Sequence, residues 1–222
     1  MDGFLLVDKL AGWTSHDVVA KIRTISGMKK VGHGGTLDPL ATGLLVVGLG
    51  KATKQLEQFV QGDKTYLATV RLGATSTTDD AEGEIVSRDS PQPQDDEVQL
   101  ALDYFHGKQQ QMPPLYAALK TKGKKYYQLA RQGLYVPRRT REVVFHEVSL
   151  LRYQYPDLEI RTRVGKGTYI RSLARDIGEK LGTGGYLAAL RRETVGELPL
   201  AKAHTIEEIA ADWQRYLIPV GE

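Results

Sequence analysis

The chain has 222 residues, 41% of them hydrophobic and 26% charged, and a formal net charge of +3; this is enough for one large domain or two small ones with a proper core, and it is expected to fold unaided. It contains no cysteine, which excludes a disulfide framework and a thiolate zinc site and fits a reducing cytosol. The opening MDGFLLVDKLAGWTS has an acid where a signal peptide carries bases, and its apolar run stops at Val7, so neither a leader nor a membrane span is expected and the localisation reads as cytoplasmic.

In chain order, GFLLVDK reads as a short strand. Ser15 is then expected to cap the helix HDVVAKIRTISG, whose Val18, Val19, Ile22 and Ile25 share one face and whose Gly27 stops it. A glycine-rich loop leads into the apolar strand GLLVVGLG and a short helix through Leu56, Phe59 and Val60; KTYLATVRLG alternates as a strand and carries Tyr66. Residues 79–97 hold eight acids, one base, Pro91 and Pro93, the composition of a surface loop, and lead into a helix DDEVQLALDYFHG. Further on, KKYYQLARQG reads as a helix closed by Gly133, REVVFHEVSLLRYQY and DLEIRTRVGKG as a strand pair, TYIRSLARDIGEKLG as a helix, GYLAALRRETV as a strand, and a last helix follows Thr205. With no internal repeat and no linker, the pattern gives a single α+β domain over residues 1–222 with an inserted basic arm.

That arm stands out in the distribution of charge. Residues 107–141 carry nine Lys or Arg and no acid, which leaves 21 bases against 27 acids in the rest of the chain. Tyr116, Tyr126, Tyr127 and Tyr135 are interleaved with the bases, and cations with aromatics suit a phosphate backbone and unstacked bases. Other chemistries fail on spacing. GLGKAT and GKGT lack the arrangement of a phosphate-binding loop, no dinucleotide fingerprint follows a strand, and the five histidines are scattered, so no cofactor and no metal is expected. Ser15, His16 and Asp17 are adjacent and cannot form a relay, so capping accounts for them better. Asp38 is different. In GHGGTLDPLATGLLVVGLG it lies between a leucine and a proline, after a glycine pair and just before a run apolar enough to be buried. Glycine permits close approaches, proline fixes φ and restrains its predecessor, and an ionised group at such a place is either tied down or used for chemistry.

LLVDKLAGWTSHDVV, VGHGGTLDPLATGLL, KTYLATVRLGATSTTDDAEGEI, MPPLYAALKTKGKKYYQLARQG, GKGTYIRSLARDIGEKLG and ALRR occur in the order seen in the TruB family of tRNA pseudouridine synthases, which the chain resembles from Gly3 to Thr205. Leu10 stands where the first motif commonly has proline, and the sequence stops where many relatives continue into an RNA-binding PUA domain. The resemblance implies a mixed, largely antiparallel central sheet flanked by helices, with the basic arm over about 107–141 closing on the T-arm of tRNA. It implies isomerisation of a uridine in the TΨC loop to pseudouridine, with no cofactor, no metal, no membrane and no obligate protein partner. Asp38 is the motif's catalytic carboxylate, suited to stabilise or trap a cationic sugar as the glycosidic bond breaks. Attack on C1′ and removal of the C2′ proton both remain open. Arg171 matches its guanidinium partner, and Tyr66 the aromatic that stacks on the base and assists loss of the C5 proton. Tyr169 and Leu190 match the lining of the uracil pocket, and His33 the side chain that fills space left by the flipped nucleotide. Lys122, Lys124 and Lys125 are the expected RNA contacts of the arm. Two other classes stay open: a tRNA-binding chaperone that does no chemistry, and a guide-RNA-dependent synthase that needs partner proteins.

Overall fold

The computed structural model describes residues 1–117, 119–121 and 123–220, with residues 120, 121, 124, 125, 127 and 131 described by their backbone alone. The chain runs β1 (Gly3–Lys9), α1 (Ser15–Ser26), β2 (Val31–His33), β3 (Thr42–Leu49), a 3₁₀ segment Gly50–Gln55, α2 (Leu56–Gln61) and β4 (Lys64–Leu72). It continues through β5 (Ala74–Ser76), β6 (Ile85–Ser87), α3 (Asp95–Asp103), β7 (Gly107–Gln111), β8 (Lys120–Thr121), β9 (Lys124–Lys125) and α4 (Tyr126–Arg131). The remainder is β10 (Arg141–Gln154), β11 (Asp157–Val164), α5 (Ile170–Lys180), β12 (Gly185–Val195), β13 (Leu198–Pro199), α6 (Ile206–Ala211) and β14 (Ile218–Pro219). The class is α+β, with a mixed, largely antiparallel sheet. No helix among the described residues is long and apolar enough to cross a membrane.

Two compact units divide the chain, one of residues 1–67 with 190–222 and one of residues 68–189. In the first, β1 pairs antiparallel with β14 and β3, β2 adds antiparallel to β3, and β12 joins β3 in parallel with Arg191 opposite Thr42 and Arg192 opposite Gly43. Seven consecutive residues of β3 are buried, so both faces of this strand are covered and its sequence reads as a continuous apolar run. Phe4, Leu6, Leu44, Val46, Leu56 and Val195 pack on one side, where Phe59 meets Phe4 edge to face at 5.0 Å. The cap of α1 differs from expectation. Thr14, not Ser15, is the cap: its hydroxyl accepts from the Asp17 N–H and the Asp17 carboxylate accepts from the Thr14 N–H. Ser15 is thereby released, buried in the first turn.

In the second unit β10 is paired antiparallel with β11 on one side and β7 on the other. The basic segment therefore begins as a sheet strand. Arg141 lies opposite Gln111 in that ladder, so residues 112–140 leave the sheet and return to it at the same level. Within this excursion Ala117, Tyr126 and Val136 form a small core of their own, with Leu115, Leu119, Leu129, Ala130 and Tyr169 packed against it. The expected acidic loop holds β6, which pairs antiparallel with β5 just ahead of the loop, before α3 begins at Asp95.

Candidate active site

Asp38 sits half-buried in a loop of the first unit that joins β2 to β3. Upstream, the Gly34 N–H donates to the Val46 carbonyl at 2.8 Å and extends the β2–β3 pairing. Downstream, the Ala41 N–H donates to the Asp38 carbonyl at 3.1 Å and closes a turn with Pro39 in its second position, where the fixed φ of proline fits. Gly43 follows with φ 97°, and a Cβ there would run into the Arg192 carbonyl, so only glycine admits the contact of β3 with β12.

Buried side chains from three elements hold this loop. The Ser15 hydroxyl donates to the Leu37 carbonyl at 3.1 Å and accepts from the Leu37 N–H at 2.8 Å. Lys9, fully buried, donates to the carbonyls of Leu10, Trp13 and Pro39 at 2.9, 2.6 and 3.3 Å. Arg192, 1% exposed, donates through Nε to Leu44 at 2.7 Å, through Nη1 to Thr36 at 3.4 Å and through Nη2 to Gly35 at 3.2 Å. Leu190, also on β12, accepts through its carbonyl from the Thr42 hydroxyl at 3.3 Å.

Tyr66 is buried on β4. Two residues earlier on the same face, Lys64 donates to the Val60 and Gly62 carbonyls, both at 2.6 Å, and burial, reinforced by Arg192, lowers its pKa to about 8. The His33 ring meets His16 edge to face at 5.3 Å, and burial, then His16 and Arg192, pushes its pKa below the ordinary imidazole value. These two histidines also line a groove of about 600 Å³ with Arg23, Lys29, Lys30 and Lys54, a basic surface in which Glu57 is the one carboxylate among the described residues.

Tyr169 and Arg171 lie in the second unit at the start of α5. The Gln111 amide engages both backbone groups of Tyr169, donating to its carbonyl at 3.1 Å and accepting from its N–H at 2.9 Å. Arg171, 6% exposed, has Nη1 3.5 Å from the buried Asp80 carboxylate and donates to the carbonyls of Thr78 and Tyr116 at 3.3 and 3.2 Å. One turn on, Arg175 pairs with Asp79 at 2.8 Å and Asp176 at 2.7 Å and donates to the Met112 carbonyl at 2.9 Å, which also accepts from Ser172. Burial pushes the Asp79 carboxyl up, against the pull of Arg175 and Arg171. The first turns of α5 thus grip the root of the basic excursion. Lys124 and Lys125 stand in β9, paired with Thr121 and Lys120, but their side chains, like Lys122 altogether, lie outside the described residues.

The first unit therefore holds Asp38, Tyr66, His33 and Leu190, and the second holds Tyr169 and Arg171. The sequence reading gave no role to Lys9, Arg192, Asp80, Gln111 or Arg175. A fold of this kind recurs in a Cbf5–Nop10–Gar1 complex, with TM-score 0.74 and 30% identity over 95% of this chain and 54% of the other. It recurs in an H/ACA ribonucleoprotein bound to a substrate RNA containing 2′-deoxyuridine, with TM-score 0.73 and 28% identity over 95% of this chain and 53% of the other. The chain spans about half the length of those chains.

The fold class is thus the mixed α+β one shared with chains of these two complexes. The profile of the TruB family pseudouridylate synthase N-terminal domain matches residues 23–170, and that of the tRNA pseudouridylate synthase B C-terminal domain matches residues 171–217. The chain belongs to the TruB family of pseudouridylate synthases. It is 46% identical to the tRNA pseudouridine synthase B of Thermobifida fusca, covering 100% of this chain and 78% of that protein. It is 42% identical to that of Opitutus terrae, covering 99% of this chain and 93% of that protein.

Proposed function

We propose that this protein isomerises a uridine in the TΨC loop of tRNA to pseudouridine, and that Asp38 is the catalytic carboxylate. The observation that carries the proposal is the Asp38 loop itself, held through its backbone at residues 35, 36, 37 and 39 in a chain of the TruB family. A carboxylate fixed in this way can meet an anomeric carbon as the bond from C1′ to N1 breaks, or take the C2′ proton; in either case uracil turns and rejoins through C5, whose proton then leaves. Tyr66 stacks on the base and assists that proton, Arg171 keeps the carboxylate charged, and Tyr169 with Leu190 lines the uracil pocket. His33, neutral near pH 7, takes space vacated by the flipped nucleotide.

The two units are read as one catalytic domain carrying an arm over about 107–141. RNA is held by the lysines of that arm, Lys122, Lys124 and Lys125 among them, and by the basic groove around Arg23, Lys30 and Lys54, because phosphate contacts supply most of the affinity for nucleic acid. The enzyme acts on the T-arm in the cytoplasm with no cofactor and no protein partner. The test is incubation of the purified protein with unmodified tRNA carrying tritium at uracil C5. Tritium released to water is the expected result. Binding without release would make the protein a tRNA-binding module, and release only with added guide RNA and partner proteins would make it a guided synthase.

A further inference from the structure

We propose that Ser15 and Arg192 are positioning residues for the reaction, forming a brace that sets the backbone of the Asp38 loop; this rests on the assignment of Asp38 as the catalytic carboxylate. Ser15 lies in a motif whose hydroxyl looked like a helix cap, yet Thr14 does the capping and Ser15 turns the other way. It is 1% exposed, and its one oxygen satisfies both the N–H and the carbonyl of Leu37, the residue directly before Asp38, as a neighbouring strand would. The Leu37 side chain is itself buried, so the peptide leading into Asp38 is fixed from two directions.

Arg192 works across the loop. Its three nitrogens diverge to Gly35 and Thr36 on the upstream side and to Leu44 on the downstream side, so one rigid guanidinium spans the segment that carries Asp38. Only arginine offers donors fanned in one plane; a lysine ammonium gathers its acceptors around a single nitrogen, as Lys9 does, and cannot place separate donors on both flanks of the loop. Among the described residues no carboxylate pairs with the buried Arg192. A purely structural role would be served as well by a packed hydrophobe, because desolvating a charge is costly. Its position at the flanks of a single loop points to the geometry of that loop as the reason. A catalytic group must be held within about 0.5 Å of its productive place, and an error of about 1 Å can cost about 10²-fold in rate.

The experiment compares Ser15→Thr with Ser15→Val, which crowd the site equally and differ only in the hydroxyl, alongside Arg192→Lys and Asp38→Asn, all assayed by tritium release with tRNA affinity and active fraction measured in parallel. Ser15→Val and Arg192→Lys are expected to lose roughly 10- to 100-fold in kcat per folded molecule with tRNA affinity unchanged, and Ser15→Thr to recover most of the loss. Asp38→Asn should give no product. Equal kcat for the Thr and Val variants, or a loss in Arg192→Lys accounted for wholly by unfolded protein, would overturn the brace. Activity in Asp38→Asn would instead overturn the reading of the active site on which it rests.

Discussion

The contacts of buried cations differ between the two units. In the first, Lys9, Lys64 and Arg192 donate to main-chain carbonyls at residues 10, 13, 35, 36, 39, 44, 60 and 62. In the second, Arg171 and Arg175 face Asp80, Asp79 and Asp176. The difference has a physical consequence. Carbonyls are fixed to the backbone, so a cation that binds several of them dictates the path of the chain, which is what a loop presenting a carboxylate needs. They bring no full negative charge, however, and burial wins: the Lys64 pKa falls. Burial would lower the Arg175 pKa as well, but Asp176 and Asp79 outweigh it and the pKa is raised. Carboxylate partners therefore secure the charge and position of a side chain, as suits Arg171 if it serves as a cation in the reaction.

The comparison is broken most easily at Asp80. Removing it leaves the Arg171 charge buried without this carboxylate, strips the acceptor from the Glu82 N–H and leaves the Thr78 hydroxyl only the longer bond to the residue 80 carbonyl. Asp80→Ala should cost about 3–5 kcal/mol in urea denaturation. A loss below about 1 kcal/mol would mean that Asp80 is not what holds the Arg171 charge, and the distinction between the units would collapse.

Lys64 sharpens the other half. Its folded pKa of about 8 lies below the ordinary 10.5, so the folded protein releases the proton first, and stability should rise between about pH 8 and 10.5 while staying flat below. Denaturation curves of wild type and Lys64→Met over that range should diverge by this gain alone. Parallel curves would show that Lys64 keeps its ordinary pKa on carbonyls. The smallest effect is expected at Arg71 and Asp157, a two-bonded pair at 2.8 and 2.9 Å whose side chains are 45% and 38% exposed. Solvent screens it, and Arg71→Met should change stability by less than about 1 kcal/mol. A larger loss would show that carboxylate pairing stabilises the second unit wherever it occurs, regardless of burial.

Much of this was legible in the sequence where the information is local. The glycines and proline around Asp38 announce a specified loop, and Thr205 with Glu208 announces the cap of α6. The same signal existed at Thr14 and Asp17, three residues apart, but the serine beside them obscured it. β7 was missed because GKQQQ has no apolar alternation, as expected of a strand with one unpaired edge. The brace was not legible at all. An arginine in ALRR looks like a surface charge, and its inward direction is decided by carbonyls 148 or more residues away. Asp79 and Asp80 stood in a quoted motif, yet their partners are 96 and 91 residues on, at Arg175 and Arg171. A charge map along the chain likewise finds the contiguous run at 107–141 and overlooks a groove assembled from Arg23, Lys30 and Lys54.

The central claim is that a carboxylate at Asp38, held by its backbone, performs the isomerisation. Asp38→Asn keeps the shape of that side chain and every backbone bond of the loop while removing the charge. With tRNA labelled at uracil C5, it should bind as the wild type does and release no tritium over many wild-type turnovers; measurable pseudouridine in the TΨC loop from the Asn variant would contradict the account.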